Sequence, residues 1–344
     1  MITAKFGGTA ITPHNLVYLK KILTPNHKVV VVSAIGKSHP NDVKTTDLLA
    51  TYYHTHDQSV WRMVCARYKR LATVNCININ VDKLLADAHN RALEFNFDYC
   101  ISLGEELSAK LVSAYLNATY VEAQDVLLFG KKGLKTKQTI SRLKSAFLGA
   151  NLAVIGGFYG GWTNTRKTFS RGGSDVTASF CALATNSTLC ENWTDSSGVC
   201  QGNPTEIFGV KTLTHIGYNQ MFQLAQAGAT VLHPDAIRPL QTKSIPLVVG
   251  NFYNPNGPKT VVSNQPNSQK LLCVTQKKQK DNFVVTVVHN MLQGQVFSCL
   301  GNLYTFLGAQ TKCSIKSILC SERTVTIVCK ANILQQVFDC FSMM

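Results

Sequence analysis

Up to residue 258, the apolar positions of the chain fall into short runs that end in glycine or small polar residues. These runs predict strands at Met1–Phe6, His27–Ser33, Asn151–Phe158, Leu189–Thr194 and Ile245–Phe252. The β-branched run at His27–Ser33 is typical of a strand that is covered on both faces. Because helical stretches separate the runs, the pattern predicts an α/β fold with an open, mostly parallel sheet. Ligands of such sheets bind beyond the carboxyl ends of the strands.

Amphipathic spacing predicts the helices that cover this sheet. Pro13 opens one that runs through Leu23, because proline suits a first helical turn. A second helix carries an apolar stripe at a spacing of four residues, formed by Leu103, Leu107, Leu111 and Tyr115. We expect Glu105 in the first turn of this second helix.

The stretch SRGGSD, Ser170–Asp175, places two adjacent glycines between a cation and an acid, directly before the apolar pattern of a third helix. Adjacent glycines cost conformational entropy on folding and suit a sharp turn or a close approach to a ligand. The N–H groups at a helix start favour anions. From these residues alone, an anion-binding loop and a tight turn with Asp175 as helix cap are equally good interpretations.

Beyond residue 258 the pattern changes. A linker is predicted at 259–270, followed by a small unit over 271–344 that is too small to be the catalytic body. Its short β runs are Leu271–Thr275, Phe283–Val288 and Val325–Val328, and its helix-like stretches are Gln293–Leu307 and Ile333–Phe341. We predict a β-α-β-β-α order for this α+β unit.

The composition indicates a globular protein of two domains, since 45% of the 344 residues are hydrophobic and 15% are charged. The formal charge of +15 is compatible with nucleic acid, an acidic surface or anionic substrates. The basic residues are scattered, however, and the densest cluster, Lys277–Lys280, is predicted to be a solvated turn. We therefore expect no nucleic-acid partner.

The cysteines and the start of the sequence bear on localisation. The 12 cysteines contain no CxxC pair and no zinc-ligand spacing. The N-terminal residues MITAKFGG include no apolar signal segment, and no run of membrane-spanning length occurs. These features predict a cytoplasmic protein without a membrane partner.

Residues that could support phosphoryl transfer cluster after the predicted strands. No P-loop and no G-x-G-x-x-G follows a strand. What remains is Lys5 before two glycines, Ser33, Glu105 and the loop at 170–175, which together supply cations, backbone donors and acids. Phosphoryl transfer depends on such groups. Taken singly, Lys5 also fits a solvated strand end and Glu105 a plain helix start.

A series of motifs in residues 1–258 resembles, in order, the motifs of aspartate kinases. They are KFGGTA (Lys5–Ala10), VVSAIGK (Val31–Lys37), KTTDLL (Lys44–Leu49), SLGEELSA (Ser102–Ala109), GGFYG (Gly156–Gly160), SRGGSD (Ser170–Asp175), WTDSSGV (Trp193–Val199) and GATVLHPDAI (Gly228–Ile237). The resemblance implies a three-layer αβα amino acid kinase domain over 1–258. The tail over 271–344 is similar to one regulatory ACT module, of which family members commonly carry two.

The resemblance also implies an activity and roles for residues. The γ-phosphate of ATP would pass to the side-chain carboxylate of L-aspartate, giving 4-phospho-L-aspartate. Mg²⁺ would be bridged mainly by the ATP phosphates, and no protein metal site is expected.

The implied catalytic residues are Lys5, which neutralises the transferring phosphoryl group, Arg171, which pairs with the substrate carboxylate, and Asp175, which orients the lysine. The implied substrate-binding residues are Thr46, Glu105, Arg171 and Ser174, with Glu105 holding the ammonium group. The implied nucleotide-binding residues are Lys5, Gly7, Gly8, Thr9, Ser33, Thr194, Asp195 and Thr230.

Some positions depart from the family pattern and keep alternatives open. Thr230 and Thr205 stand where members often carry a lysine and an arginine, which would weaken phosphate binding. A related kinase acting on another acidic amino acid, and an amino-acid sensor with a weakened kinase site, are the rival hypotheses. For the tail we expect a homodimer or higher homo-oligomer, with feedback control by lysine or threonine, and for the product a use in amino-acid biosynthesis.

Overall fold

The computed structural model describes residues 1–39, 41–170, 172–229, 232–308 and 314–343. The chain divides into two compact units. Unit 1 comprises Met1–Ser196 and Asp235–Gly257, and unit 2 comprises Ser197–Pro234 and Pro258–Met344. None of the helices within the described ranges is long and apolar enough to cross a lipid bilayer.

The main sheet of unit 1 pairs its strands in parallel. The strands are β1 (Ile2–Phe6), β2 (His27–Val32), β3 (Thr119–Val121), β6 (Ala153–Gly156), β9 (Leu189–Thr194) and β11 (Leu247–Asn251), and they lie in the order β11-β9-β1-β2-β6-β3. Two antiparallel hairpins accompany them, β4 (Phe129–Gly130) with β5 (Gly133–Leu134), and β7 (Tyr159–Trp162) with β8 (Thr165–Thr168). The predicted open, mostly parallel sheet is confirmed.

Helices cover both faces of this sheet. They are α1 (Val17–Ile22), α2 (Thr45–Thr55), α3 (Gln58–Val74), α4 (Val81–Glu94), α5 (Phe97–Leu116), α6 (Ala123–Val126), α7 (Thr136–Phe147), α8 (Gly173–Ala184) and α10 (Pro234–Gln241). The alternation of β1 directs Ala4 and Phe6 into a hydrophobic core shared with α2, α3, α4 and α5. Lys5, on the opposite face, meets α8 through Asp175. The result is a three-layer αβα arrangement.

Two helix starts differ from the sequence-based prediction. The helix α5 begins after Asn96, whose side chain accepts a hydrogen bond from the N–H of Tyr99 at 3.0 Å. Glu105 therefore lies in the middle of this helix and not in its first turn, because the leucine stripe marks only the later part of α5. The helix α1 begins at Val17 instead of Pro13, since hydrogen-bonded turns precede it.

The loops that follow β1, β2 and β6 touch at the carboxyl edge of the sheet. The N–H of Gly36 donates to the carbonyl of Gly8 at 2.8 Å, and the N–H of Gly157 donates to Val32 at 2.9 Å. A Cβ at Gly36 would lie 2.4 Å from the carbonyl carbon of Gly8, so the close approach of these two loops requires glycine. This edge is where the predicted site residues are concentrated.

Unit 2 contains a parallel strand pair and a separate antiparallel sheet. The pair is β10 (His215–Gly217) with β12 (Lys259–Ser263), and α9 (Tyr218–Ala227) follows β10. The four-stranded sheet has the order β13 (Leu271–Gln279), β14 (Asn282–His289), β16 (Thr324–Cys329), β15 (Ile315–Cys320). Two helices, α11 (Gln293–Phe306) and α12 (Leu334–Ser342), share a hydrophobic core with this sheet.

Unit 2 corrects two sequence-based predictions. The order of its C-terminal part is ββαββα rather than β-α-β-β-α, since two strands and not one precede the first helix, and the predicted β runs did not include β15. This edge strand buries little of its surface, so its sequence shows no clear alternation. The predicted turn at Lys277–Lys280 is also wrong in part, since Lys277 and Lys278 pair with β14 and the chain turns at Lys280, where φ is 52°.

The predicted domain boundaries differ from the compact units in two respects. The second stretch of unit 2 begins at Pro258, next to the predicted boundary, but unit 2 also contains 197–234, which the prediction assigned to 1–258. Part of the predicted linker at 259–270 is the strand β12. A division into 1–258, 259–270 and 271–344 stays a prediction.

Candidate functional site

A cavity of about 220 Å³ opens at the carboxyl edge of the sheet in unit 1. Its lining residues are Lys5, Ser33, Thr46, Glu105, Phe158, Gly172, Gly173, Ser174 and Asp175. All of them except Phe158 belong to the predicted site residues or to the predicted glycine loop. The topology thus brings together residues of β1, α2, α5, α8 and the loops after β2 and β6, which lie far apart in the sequence.

Lys5 and Asp175 form the ion pair of this cavity. The Nζ of Lys5 lies 2.8 Å from the Oδ1 of Asp175, and their side chains are 13% and 12% exposed. Gly172, not Asp175, is the N-cap residue of α8, and it takes the left-handed φ of 61°. Asp175 therefore acts as the partner of the lysine, and the interpretation of Asp175 as a simple helix cap is excluded.

Glu105 brings a buried carboxylate without a full set of partners into the same cavity. It is 5% exposed, and its Oε2 accepts no hydrogen bond from any residue that the structure describes. Burial raises the pKa of Glu105 to about 8, although a hydrogen bond from the backbone of Ala34 opposes this shift. Such a carboxylate gains a partner when a cation enters the cavity.

The next residue, Glu106, has the opposite environment. Its carboxylate is fully buried and lies 2.8 Å from Arg91, 2.6 Å from Lys110 and 2.7 Å from Arg166. Burial alone would raise the pKa of Glu106, but the three cations hold it at about 2. The ring of Tyr99 lies 4.1 Å from the guanidinium of Arg166. Sequence reasoning missed this cluster, because nothing in the spacing of Arg166 distinguishes it from an exposed arginine.

Polar contacts position the remaining lining residues. The Oγ of Ser33 donates to the Oγ of Ser174 at 3.0 Å, which connects β2 to α8. Thr46 stands in the first turn of α2, and its neighbour Thr45 donates to the carbonyl of Ile35 at 2.7 Å. Arg67 of α3 donates to the same hydroxyl at 3.0 Å. The loop before Thr46 is therefore anchored from two sides.

Phe158 is a lining residue that sequence reasoning missed. Its φ is 74°, a left-handed conformation that is unusual for a bulky residue and indicates a locally constrained backbone. A Cβ at Gly173 would lie 2.6 Å from the Cα of Phe158. Its position in the motif GGFYG was the available signal, but an apolar residue does not by itself suggest a binding role.

Five further predicted nucleotide-binding residues are at the same edge but do not line the cavity, namely Gly7, Gly8, Thr9, Thr194 and Asp195. Gly8 and Thr9 belong to a short 3₁₀ turn after β1, and their N–H groups donate to no described residue. The N–H of Gly7, in contrast, donates to a carbonyl of β9 at 3.1 Å. Thr194 ends β9, and its hydroxyl donates to the Oδ1 of Asp195 at 3.1 Å.

Two predicted residues, Arg171 and Thr230, lie outside the described residues. Within the described ranges, no group of three or more His, Cys, Asp or Glu side chains could hold a metal ion. Among the residues that the structure describes, the cavity lining contains one ammonium, two carboxyl groups, hydroxyl groups and loop backbone.

Comparison with models of protein families identifies the family to which this chain belongs. The model of the amino acid kinase family matches residues 1–251 of the chain. This protein belongs to the amino acid kinase family. Aspartokinase 3 of Bacillus subtilis is 31% identical, over 78% of this family member and 65% of that relative. Aspartokinase 2, chloroplastic, of Arabidopsis thaliana is 24% identical, over 88% of this chain and 61% of that one. This chain thus spans less than two thirds of the length of these relatives.

Solved structures of aspartate kinases share the fold of this amino acid kinase family member. The aspartate kinase of Clostridium acetobutylicum superposes with a TM-score of 0.83 at 22% identity, covering 99% of this chain and all of that chain. Aspartokinase III of Escherichia coli, in complex with aspartate and ADP, superposes with a TM-score of 0.71 at 21% identity, covering 99% and 83%. At these identities the likeness establishes the three-layer fold.

Replacing Glu105 is expected to change how stability depends on pH. The pKa of this carboxyl is about 8 in the folded protein and near 4.5 when unfolded, so its burial destabilises the fold increasingly as pH rises from about 4.5 to 8. Glu105→Gln removes this loss. We expect the free energy of unfolding of the variant, relative to that of the wild type, to be higher at pH 8 than at pH 5 by up to several kcal/mol. Urea unfolding at the two pH values measures this difference. A difference that is independent of pH would contradict the assigned burial.

Replacing the neighbouring Glu106 is expected to destabilise the protein at both pH values. Glu106→Gln leaves Arg91, Lys110 and Arg166 without their shared anion, and breaking a buried pair costs roughly 3–5 kcal/mol. The same urea titration measures this loss. A stability close to that of the wild type would show that the cluster contributes little.

Proposed function

We propose that this protein is an aspartate kinase, which transfers the γ-phosphate of ATP to the side-chain carboxylate of L-aspartate. The single observation that carries the proposal is the position of Glu105. Its buried carboxylate, incompletely paired among the described residues, lies in the cavity that also contains the Lys5–Asp175 pair. This combination suits an amino-acid substrate on one side and a phosphate on the other.

The ammonium group of a free amino acid fits Glu105. An ammonium would donate to Oε2 and stabilise the ionised form of Glu105, which burial disfavours, as a charge-assisted pair. An N-acetylated acid lacks this cation and would leave Glu105 unpaired, which disfavours acetylglutamate. A volume of about 220 Å³ accommodates a small amino acid. Thr46 and Ser174 supply hydroxyl contacts in the proposal, and Arg171 supplies the partner of the substrate's carboxylate.

Lys5 is the proposed contact of the transferring phosphoryl group. Asp175 holds the lysine at 2.8 Å, so the cation is positioned before the nucleotide binds, and preorganised charge of this kind stabilises phosphoryl transfer. The N–H groups of Gly8 and Thr9 and the hydroxyl of Ser33 are proposed phosphate contacts. The remaining proposed nucleotide contacts are Gly7, through its loop position, Thr194, Asp195 and Thr230.

Magnesium fits this site as an ion carried by the nucleotide. The described residues contain no acidic cluster for a protein-held ion, so we propose that the ATP phosphates are its main ligands. When bound, Mg²⁺ neutralises phosphate charge. The chain's own residues position the acceptor carboxylate and the lysine.

The names of the relatives agree with the proposal. Aspartokinase III of Escherichia coli was solved with aspartate and ADP, and also with lysine and aspartate in a T-state. By analogy we propose a cytoplasmic enzyme of amino-acid biosynthesis with L-aspartate and ATP as substrates. The tail over 271–344 is the proposed regulatory and oligomerisation domain.

Trapping of the product with hydroxylamine tests the reaction. Wild-type protein with ATP, Mg²⁺ and L-aspartate should form aspartyl hydroxamate, because hydroxylamine captures an acyl phosphate. Lys5→Ala should lower the rate about 10²–10³-fold, the scale for removing one transition-state donor. Lys83→Ala, an exposed lysine on α4, is the matched control and should retain the wild-type rate.

The substrate panel distinguishes the proposal from its rivals. Turnover with acetylglutamate but not with aspartate would refute it in favour of a related kinase. Binding of aspartate with no hydroxamate from any acid would refute it in favour of a sensor.

Proton release tests the role of Glu105. At pH 7 a carboxyl with a pKa of about 8 is mostly protonated, and an ammonium beside it lowers that pKa. Binding of L-aspartate should therefore release up to about one proton and should strengthen as pH rises towards 8. Calorimetry in two buffers of different ionisation enthalpy measures this release. Glu94→Gln, an exposed control, should behave as the wild type, whereas Glu105→Gln should lose the pH dependence. Release of no proton by the wild type would contradict this role.

The edge strand of unit 2 is the proposed oligomer contact. In the four-stranded sheet β15 is an edge, and Leu319 on this strand is 67% exposed. Leu319→Lys should therefore shift the protein towards monomer in analytical ultracentrifugation without lowering its melting temperature. Leu148→Lys in unit 1, at a leucine that is 86% exposed, should leave the mass unchanged. An unchanged mass in both variants would exclude this edge as the contact.

A further inference from the structure

Unit 1 holds a second cavity, of about 310 Å³, that none of the predicted site residues lines. Its lining combines the exposed cations Lys135 and Arg142 with the more buried apolar side chains of Leu128 and Phe129. It is larger than the candidate active-site cavity. The proposed reaction uses none of these residues.

The charges of this cavity favour an anion. Within the described part of the chain, neither Lys135 nor Arg142 forms an ion pair. Arg142 donates only a long hydrogen bond, 3.4 Å, to the backbone carbonyl of Asp125. Asp125 is also a lining residue, so the lining includes two cationic residues and one acidic residue. A ligand with a negative group and a hydrogen-bond donor matches this set, because guanidinium and ammonium groups bind carboxylates and phosphates.

We propose that this cavity binds a small anion, a carboxylate or phosphate attached to an apolar group, and that the bound anion alters substrate affinity in the candidate active site. Leu128 and Phe129 take the apolar group. A pocket of a few hundred cubic ångströms with an apolar part and few polar groups is typical of small-molecule sites.

One connection to the active site runs through a buried ion pair. Gln124 lines the second cavity, and its Oε1 accepts a hydrogen bond from the Nε of Arg166 at 2.9 Å. Arg166 pairs with Glu106 at 2.7 Å. Glu106 directly follows Glu105 in the helix α5, and Glu105 lines the active-site cavity. A ligand that moves Gln124 therefore acts on the helix that carries Glu105.

A second connection runs through aromatic packing. The ring of Phe129 meets the ring of Phe169 edge-on, with centroids 4.9 Å apart. Phe169 packs so closely on Gly173 that a Cβ at this glycine would lie 2.8 Å from the phenylalanine ring. Gly173 lines the active-site cavity. Displacement of Phe129 is thus transmitted to the glycine loop by direct contact.

Direct binding tests the site independently of catalysis. Calorimetric titration of the full chain with phenyl phosphate and with phenylacetate, without ATP or aspartate, should show binding of at least one probe. Inorganic phosphate, which lacks the apolar group, should bind at least tenfold more weakly than phenyl phosphate. The comparison of phosphate and carboxylate probes identifies which anion the site prefers.

Charge-matched variants locate the binding. The double variant Lys135→Gln/Arg142→Gln should weaken binding at least tenfold. The control Lys131→Gln/Lys137→Gln, which removes the same charge from exposed positions outside the lining, should change it less than twofold. Equal loss in both double variants would overturn the proposal as unspecific charge attraction. Loss in Lys5→Ala instead would place the probe in the active-site cavity, and no binding of either probe at millimolar concentration would also overturn it.

Of these experiments, only the test of coupling between the second cavity and the candidate active site rests on the proposed function. The bound probe should change the calorimetric affinity for L-aspartate at least twofold in the wild type and not in Lys135→Gln/Arg142→Gln. An unchanged affinity with the probe bound would overturn the coupling. Failure of aspartate to bind at all would count against the proposed function, while the probe titration would still decide the site.

Discussion

The arrangement of unit 1 depends on a carboxylate that has no exposed surface. Glu106 of α5 is paired with Arg91 of α4, Lys110 of its own helix and Arg166 of β8. Each of these charges would carry a desolvation penalty of several kcal/mol if it were buried alone, so the elements are confined to the arrangement that pairs them all. The hydrogen bond from Thr168 to Asp98, at 2.9 Å, joins β8 to α5 again. Because the strand β8 leads directly into the glycine loop, this constraint also sets the position of α8.

Two adjacent glutamates in α5 illustrate how one helix can serve both folding and binding. Glu106 is satisfied by protein cations, whereas the buried Oε2 of Glu105 accepts nothing from the described residues. A buried acceptor without a partner destabilises a fold, and such groups persist where a ligand completes them. The helix α5 thus carries two different carboxylates. That of Glu106 stabilises the fold, and that of Glu105 can accept a hydrogen bond from a ligand. A difference of one residue, about 100° around a helix, separates the two roles.

The ion pair between Lys5 and Asp175 connects the first strand to the helix after the glycine loop. It lies on the face of β1 opposite to the core residues Ala4 and Phe6, which follows from strand alternation. The pair holds the Lys5 side chain near the carboxyl end of β1 and leaves it partly exposed. Positioning of this kind is what phosphoryl transfer needs from a protein, since little covalent chemistry falls to the side chains.

Sequence patterns predicted the parts of this protein whose signal is local. A continuous apolar run marked β2 because both faces of this strand are covered, and motif order indicated the cavity residues Lys5 and Asp175. The strand β15 was missed because an exposed edge needs no alternation. The start of α5 was misplaced because its cap, Asn96, lies well before the leucine stripe.

The sequence by itself determined the class of fold and the chemical groups available at the strand ends. Only the tertiary structure decided which carboxylate is paired and which is open, that Arg166 is buried, and that Phe158 lines the cavity in a left-handed conformation. The physical reason is that secondary structure follows from neighbouring residues. Burial, pKa and partner choice depend also on side chains that the chain brings together from distant positions, as with Ser102 and Arg166, which are 64 residues apart.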